Sequence, residues 1–436
     1  MSIGPVLAFA SFVLWLHAFP MGGFLAAGST PGTFSSFLTP FVLVSFSLPR
    51  LSRVKYVHLV TQAAIVLIMT GTVLAPWLQG GRWALLFLLG CCAPLMLLRC
   101  VGLIGRSRSP VLCLALAIAA GNLLLGLLQH APGPLASKAL LVGLLPGVCL
   151  SSGGITWARG SMRGFAPYLP FVFGYFFVSG LMYGDFLPVY LAVSPYSGAE
   201  LAVYILAVLA APRIMGWGRD LPLVMGVVLS MFALSLFQMP GPVPVTAGMF
   251  LMQGSGGIID LFAFALILSQ KDTPRALGLG AGLMCLGILA GVLVSAHLSH
   301  LVGAVTVIGN TALALSVLAF YLYRRGRDPV LSGGGTGTAV AVAGDVPAAG
   351  FFPGGDAAGE TDLPPGLAAR LSPREKLVLE QVLRNMAYTD VARSLDISPS
   401  SVKTYMKRIF RKAGVSGKAE LLERLGGNQS TNQSIN

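Results

Sequence analysis

Hydroxyl-bearing and basic side chains recur in one short segment near the C-terminus of the chain. They are Ser401, Lys403, Thr404, Lys407, Arg408, Arg411 and Lys412. Lysine donates hydrogen bonds to guanine O6 and N7 in the major groove, and basic side chains release counterions from the phosphates. This segment is therefore a candidate contact surface for double-stranded DNA, and a merely solvated basic helix face is the alternative.

A second candidate chemistry lies among apolar residues. Asp260 ends the polar, glycine-rich stretch QGSGGIID, which begins with Gln253, and Asp185 lies in MYGDFLPVY. Ionisable groups are costly inside a membrane and by default indicate function. We expect Asp260 to line a small-molecule site, with Asp185 and Gln253 as further candidates. The alternative is that each acid pairs with a polar neighbour and fixes helix packing, or that Asp185 lies near the membrane surface.

Aromatic side chains are concentrated around Asp185. They are Tyr168, Phe171, Phe173, Tyr175, Phe176, Phe177, Tyr183, Phe186 and Tyr190. Such a set is large enough to line a pocket for a flat ligand, but aromatic residues are also ordinary at lipid-facing and interfacial positions. We interpret most of them in the second way.

The amino-acid composition predicts what kind of secondary structure carries these residues. Of the 436 residues, 55% are hydrophobic and only 10% are charged, which is far too apolar for a soluble protein. A spanning helix needs about 20 mostly apolar residues, and the chain to Tyr323 divides into about twelve such spans. Their approximate centres are Val13, Phe41, Ile68, Leu89, Ile118, Gly147, Tyr175, Leu206, Leu229, Gly254, Leu286 and Leu313.

The basic residues predict the orientation of these spans. Up to Arg327 the chain has 17 Lys and Arg, of which 15 follow even-numbered spans and only Arg82 and Lys138 follow odd-numbered ones. Basic loops remain on the cytoplasmic side. We therefore expect a multi-pass protein of the inner (cytoplasmic) membrane with both termini in the cytoplasm.

The composition changes twice beyond the last span. Residues 1–327 form the predicted membrane domain, and residues 328–369 contain five acids, no base and many Gly, Ala and Pro residues, which predicts a flexible linker. Residues 370–428 have four short helical signals, and 429–436 form a predicted disordered tail. Ser372 is expected to cap the first of these helices, and Ser398 precedes a basic one that begins with Pro399.

This C-terminal segment resembles the helix-turn-helix domain of LuxR-type regulators. The matching residues are Leu371, Pro373, Arg374, Glu375, Val378, Leu379, Val391, Ala392, Leu395, Ile397, Ser398, Val402, Lys403, Ile409, Lys412, Val415 and Glu420. Asn385 and Tyr405 depart from the family pattern. The resemblance implies that Lys403, Thr404 and Lys407 face base edges, and that the other members of the basic set lie nearer the phosphates.

Twelve spans with cytoplasmic termini resemble the architecture of major facilitator transporters, in which two six-helix halves enclose a cavity at the membrane midplane. The loop SLPRLSRVKYV at residues 47–57 keeps the basic residues of that family's motif but lacks its glycine and aspartate. The expected fold class is thus all-α, a polytopic membrane domain followed by a four-helix DNA-binding domain.

The chain contains no GxxxxGK[ST], GxSxG or HExxH motif and no receiver-like acidic cluster. We therefore expect no enzymatic activity, no cofactor and no metal site. The favoured interpretation is a one-component regulator that binds a small molecule in its membrane domain and pairs as a homodimer on DNA, with Leu421, Leu422 and Leu425 as candidate pairing residues. An active transporter with an accessory regulatory domain, and a DNA anchor that binds no ligand, are the alternatives.

Overall fold

The computed structural model describes residues 3–25, 31–78, 81–150, 157, 160, 162, 164–218, 220–298, 302–325, 371–383, 388–395, 399–415 and 420–421. The regular secondary structure of these residues is helical throughout. The chain divides into two compact units, Met1–Gly337 and Thr338–Asn436, and each is described by itself. The predicted linker and tail lie outside the described residues.

The first half of the membrane unit contains six helices. They are α1 (Ile3–Ala18), α2 (Pro31–Leu51), α3 (Val57–Leu74), α4 (Arg82–Gly105), α5 (Pro110–His130) and α6 (Leu135–Leu144). A 3₁₀ segment, Leu145–Leu150, extends α6. Because lipid offers backbone groups no hydrogen-bond partner, apolar segments of this length satisfy their own N–H and C=O groups as helices.

The second half contains a span with an internal irregularity. Helix α7 (Leu169–Leu181), a π-helical turn (Met182–Phe186) and α8 (Leu187–Val193) follow one another without a break. The remaining helices are α9 (Ala199–Trp217), α10 (Leu221–Leu236), α11 (Pro242–Leu268), α12 (Thr273–Leu298) and α13 (Val302–Arg325).

Each of the twelve predicted span centres falls within one of these helical stretches. Among the described residues, nine helical stretches are long and apolar enough to cross a membrane, and three more are apolar but shorter: Ile3–Ala18, Leu135–Leu150 and Leu221–Leu236. Sixteen residues of helix extend about 24 Å, less than the ~30 Å hydrocarbon thickness. A multi-pass membrane architecture is thereby confirmed, whereas the exact number of twelve spans remains a prediction.

Small residues allow the helices to approach closely. A Cβ atom on Gly291 of α12 would collide with the backbone carbonyl of Phe177 in α7, and one on Gly257 of α11 would lie 2.6 Å from the carbonyl oxygen of Tyr204 in α9. The first six helices contact the later ones most extensively where α2 packs along α12 and α5 packs along α9, and α5 also contacts α11. Glycine at such positions lets two backbones touch.

The aromatic residues of the seventh span do not follow the sequence-based interpretation. Six of the nine are buried, with Phe171 and Tyr190 fully inaccessible, and none is exposed. Most are therefore not lipid-facing. A span that is apolar on every side gives no periodic signal to distinguish its lipid-facing side from its packed side, which is why the interpretation was wrong.

The C-terminal unit has three described helices, α14 (Pro373–Leu383), α15 (Tyr388–Ser394) and α16 (Pro399–Ala413). They enclose a hydrophobic core of their own, made of Leu371, Val378, Leu379, Val382, Val391, Ala392, Val402, Met406, Ile409, Val415 and Leu421. Of the predicted fourth helix, residues 420–421 are described and helical. Leu421 is 1% exposed and so belongs to the core, while Leu422 and Leu425 lie outside the described residues.

Candidate nucleic-acid interface and ligand cavity

Helix α16 separates its apolar and basic residues onto different faces. Val402, Met406 and Ile409 recur at helical spacing and are at most 1% exposed, so this face anchors the helix to the domain core. Five members of the predicted DNA-contacting set are exposed: Lys403, Thr404, Lys407, Arg408 and Arg411. Packing against α14 and α15 therefore presents a continuous basic surface to solvent.

The C-terminal end of α16 is fixed by a glycine. Gly414 has φ +68°, a left-handed conformation that favours glycine. The N–H of Val415 donates to the carbonyl of Phe410 at 3.0 Å, the bond that closes a Schellman motif. Val415, which is 8% exposed, then returns to the core. The helix that carries the basic surface therefore ends at Ala413.

The N-terminal end of α14 has the predicted Ser372 cap and a reciprocal bond that completes a capping box. The N–H of Glu375 donates to Ser372 Oγ at 3.3 Å, and the N–H of Ser372 donates to Glu375 Oε2 at 2.8 Å. Lys412 Nζ lies 2.6 Å from the same Glu375 oxygen. Glu375, only 3% exposed, thus joins the beginning of α14 to the end of α16.

These bonds determine the charge state of Glu375. Burial acts to raise the pKa of its carboxyl group, but hydrogen bonds from Lys412 and Ser372 and the lysine charge outweigh burial and hold the pKa below its ordinary value. The carboxylate is consequently ionised at neutral pH.

Two members of the predicted set differ from the exposed five. Ser401 is half-buried. Lys412 has its ammonium group on Glu375, with 34% of the side chain exposed, so its first role in the described structure is to hold two helices together rather than to face phosphates. In contrast, Lys403, Lys407, Arg408 and Arg411 form no salt bridge with a described residue.

In the membrane unit, one cavity of 310 Å³ lies between the first six helices and the later ones. Helices α1, α2 and α5 contribute Phe9, Phe12, Phe37, Phe41 and Asn122 to its wall, and the later helices contribute Tyr175, Phe176, Tyr183, Tyr204 and Phe264. A volume near 300 Å³ with mostly apolar walls and a few polar groups is typical of small-molecule sites.

Two of the three predicted ligand residues line this cavity. Gln253 and Asp260 are seven residues apart on α11, which is two helical turns, and Gly256 lies between them on the same face. Asp260 Oδ2 accepts a 2.7 Å hydrogen bond from Tyr204 Oη. The close approach of α9 and α11 at Gly257 brings this phenol to the carboxylate.

Asp185 is not among the residues of the cavity wall. It lies in the π-helical turn, beside α12, where a Cβ atom on Gly184 would collide with the side chain of Ser295. Its Oδ2 atom is buried and has no hydrogen-bond partner among the described residues. The structure thus separates the two acids, and Asp185 is removed from the set that surrounds the cavity.

Two polar features of the cavity were not anticipated from the sequence: the buried serines behind Tyr175, which lie outside the wall, and Tyr204, which lies in the wall. Tyr175 Oη lies 2.6 Å from Ser255 Oγ, which in turn lies 2.8 Å from Ser230 Oγ and donates to the carbonyl of Gly226 at 2.7 Å. Tyr204 had no local signal, since its helix is apolar on all sides. The only available indication was that a phenol in a span needs a partner when it is buried.

The cavity extends toward one end of the helix bundle. Its wall includes Met21 and Gly22 after α1, His130 at the end of α5, and Gly198 and Glu200 at the beginning of α9. These residues belong to connections that carry few bases, which we call the base-poor end. Glu200 Oε2 accepts hydrogen bonds from Tyr190 Oη and from the N–H of Gly198, both at 2.6 Å.

Comparison with protein families identifies the C-terminal unit. Residues 369–424 match the family described as bacterial regulatory proteins, luxR family. The chain therefore carries a LuxR-type DNA-binding domain, as its residue pattern predicted. No curated protein matches the chain in sequence.

Solved structures identify the fold of the membrane unit. A bacterial homologue of the iron transporter ferroportin, in an outward-facing state, has a TM-score of 0.53 at 16% identity, with 74% of this chain and 98% of that chain covered. The Major Facilitator Superfamily transporter FucP, in an outward conformation, has a TM-score of 0.50 at 12% identity, covering 75% and 99%. The human organic anion transporter MFSD10 has 0.50 at 15% identity, covering 74% and 97%. The membrane unit is thus similar in fold to these transporters.

Proposed function

We propose that this protein is a membrane-bound transcriptional regulator whose transporter-like domain senses a small molecule and whose LuxR-type domain controls transcription. The observation that carries the proposal is the presence, in one chain, of a DNA-binding domain with an exposed basic helix and a ligand-sized cavity with Asp260 and Gln253 in its wall. Because the chain also carries a DNA-binding domain, ligand binding in the cavity has transcription as an effect to control, and not only transport.

The proposal requires the DNA-binding domain to be cytoplasmic. The distribution of bases among the connections supports an inner-membrane protein with both termini on that side. Under this orientation the base-poor end of the cavity faces outward, so an external ligand has access to Asp260.

We also propose that two copies act together on DNA. One small helix-turn-helix makes few contacts, and related domains bind half-sites about 34 to 36 Å apart. About 40 linker residues have a mean span of roughly 35 Å, a length that allows two tethered domains to reach one operator.

The decisive experiment compares transcripts of a deletion strain complemented with the wild-type chain, with Lys403→Ala/Lys407→Ala, or with the matched control Lys376→Ala. Lys376 carries the same charge but lies on α14. We expect the double variant to reproduce the deletion profile and the control to restore the wild-type profile, with equal amounts of protein in the membrane.

The same strains test the main alternative, a transporter with an accessory regulatory domain. If the double variant restores every transcript, DNA binding has no regulatory output and the proposal is wrong. A ligand identified through the regulated genes is then offered to vesicles, and accumulation that depends on Asp260 supports transport in its place.

A further inference from the structure

We propose that the cavity takes an aromatic organic cation, that is, a flat ring that carries an alkylammonium group on a short chain, and that this ligand enters from the base-poor end. This inference deepens the proposed function, because it assigns a chemical class to the ligand that the regulator senses. It rests on the charge balance of the cavity, the rings in its wall and the direction in which the cavity extends.

The charge balance is negative. Asp260 and Glu200 both line the cavity, and no lysine or arginine is among the described residues of its wall. The two histidines of the wall, His17 and His130, each have Nδ1 2.9 Å from a backbone carbonyl oxygen of their own helix. The described partners of the two carboxylates are neutral, namely the phenols of Tyr204 and Tyr190 and the N–H of Gly198. Since removing a carboxylate from water is costly unless a cation is paired with it, a positively charged ligand is the occupant that this wall favours.

The rings supply the second part of recognition. Nine aromatic side chains line the cavity, and Tyr175, Tyr183 and Tyr204 lie on the same half as Asp260. The face of an aromatic ring attracts a cation and also stacks with a flat apolar group. An aliphatic ammonium would leave most of these rings without a partner, whereas an arylalkyl ammonium engages both the rings and the carboxylate.

Gln253 supplies a neutral polar group beside the carboxylate. Its amide nitrogen contacts Met249 Sδ at 4.0 Å, a weak acceptor. The amide is therefore available to a hydroxyl or carbonyl on the ligand, two turns along α11 from Asp260. At 310 Å³, the cavity has room for a molecule with one ring and a short side chain.

The test is binding to the full-length protein in lipid nanodiscs, measured by calorimetry at pH 7. Three probes share a phenyl ring and a short chain: 2-phenylethylamine, which carries an ammonium group; 2-phenylethanol, which is neutral; and 3-phenylpropionate, which is an anion. We expect the amine to bind at least about tenfold more tightly than the other two, a difference worth roughly 1.4 kcal/mol.

Variants assign this preference to Asp260. Asp260→Asn should lower the affinity for the amine on the order of tenfold and leave the affinity for the alcohol unchanged. The matched control is Asp272→Asn, which removes the same charge outside the cavity; Asp272 caps α12 through Arg275 N–H at 3.3 Å, and asparagine caps equally well. Thermal unfolding of both variants verifies that the fold is retained.

Several outcomes overturn the proposal. Equal affinity for all three probes would leave only a hydrophobic cavity, tighter binding of the anion would reverse the charge argument, and no binding of the amine at millimolar concentration would exclude the class. None of these results bears on the transcript experiment, so the ligand class and the regulatory function fail independently.

Discussion

At the scale of residues, the basic surface of α16 combines side chains that we expect to do different work on DNA. Lys403 and Lys407 are one helical turn apart and exposed, whereas Arg411 lies one turn further along, near the end of the helix. A side chain that reads base edges contributes to specificity, while one that contacts phosphates contributes equally to every sequence.

Substitution of these residues should therefore separate specificity from affinity. We expect Lys403→Ala or Lys407→Ala to cost about 1 to 3 kcal/mol at the operator and to relax base preference. Arg411→Ala should weaken operator and scrambled DNA alike and lower the salt slope by about one. Titration of a fragment of residues 369–436 at several salt concentrations measures both effects, and a uniform loss for all three variants would reduce α16 to a nonspecific basic face.

Glu375 permits a prediction about pH. Because the pKa of its carboxyl group is depressed in the folded domain, its contribution to stability is fully present above its unfolded pKa and is lost as the pH falls through the folded value. Glu375→Gln should lower the free energy of unfolding of the same fragment by about 1.5 to 3 kcal/mol at neutral pH. The difference should disappear in acid below the folded pKa, where the wild-type group is also neutral.

Urea unfolding at pH 7 and in acid checks this expectation. Lys412→Met is the matched variant, since it leaves the carboxylate in place and removes only its cationic partner. A constant difference between wild type and Glu375→Gln at all pH values would show that the side chain stabilises by shape and not by charge.

At the scale of elements, the junction of α9 and α11 determines the cavity geometry. A Cβ at Gly257 would lie 2.6 Å from the carbonyl oxygen of Tyr204, whereas one at Gly254 would make an ordinary 3.7 Å contact with Val203. Both glycines are on α11 and gain equally in helix propensity when replaced by alanine.

We expect Gly257→Ala to push α9 away from α11, lower the thermal unfolding temperature and loosen the Tyr204–Asp260 hydrogen bond. Gly254→Ala should keep or raise that temperature, because it adds propensity without a collision. Thermal unfolding in detergent compares the two variants directly. Equal behaviour would mean that the two helices adjust freely and that the close approach does not fix the site.

The helices of both units show which features the sequence can predict and which it cannot. Long apolar runs and the alternation of basic loops predicted the helical stretches, and the Ser372–Glu375 spacing is that of a capping box. Partners distant along the chain gave no local signal: Tyr204 is 56 residues from Asp260, and Lys412 is 37 residues from Glu375. Nor does composition reveal which of two intramembrane acids lines a cavity, so the sequence predicts both Asp185 and Asp260 as ligand residues.

At the scale of the whole molecule, the function depends on which side of the membrane each end occupies. We expect topology reporters fused after Tyr323 to read as cytoplasmic and reporters fused near Ser197 to read as external, since 15 of the 17 bases up to Arg327 follow even-numbered spans. Paired cytoplasmic and external reporters at both positions provide the measurement. Reversed signals would place the LuxR-type domain away from DNA and end the regulatory proposal.

The capping box also has a mechanical consequence. At the N-terminal end of the described C-terminal unit, Ser372 is bonded to Glu375, and Glu375 is bonded to Lys412 in the last turn of α16. A force applied at Leu371 would thus reach the basic helix through one carboxylate in the first turn of α14. The first turn of α14 and the last turn of α16 are therefore expected to move together when the N-terminal end of the domain is displaced.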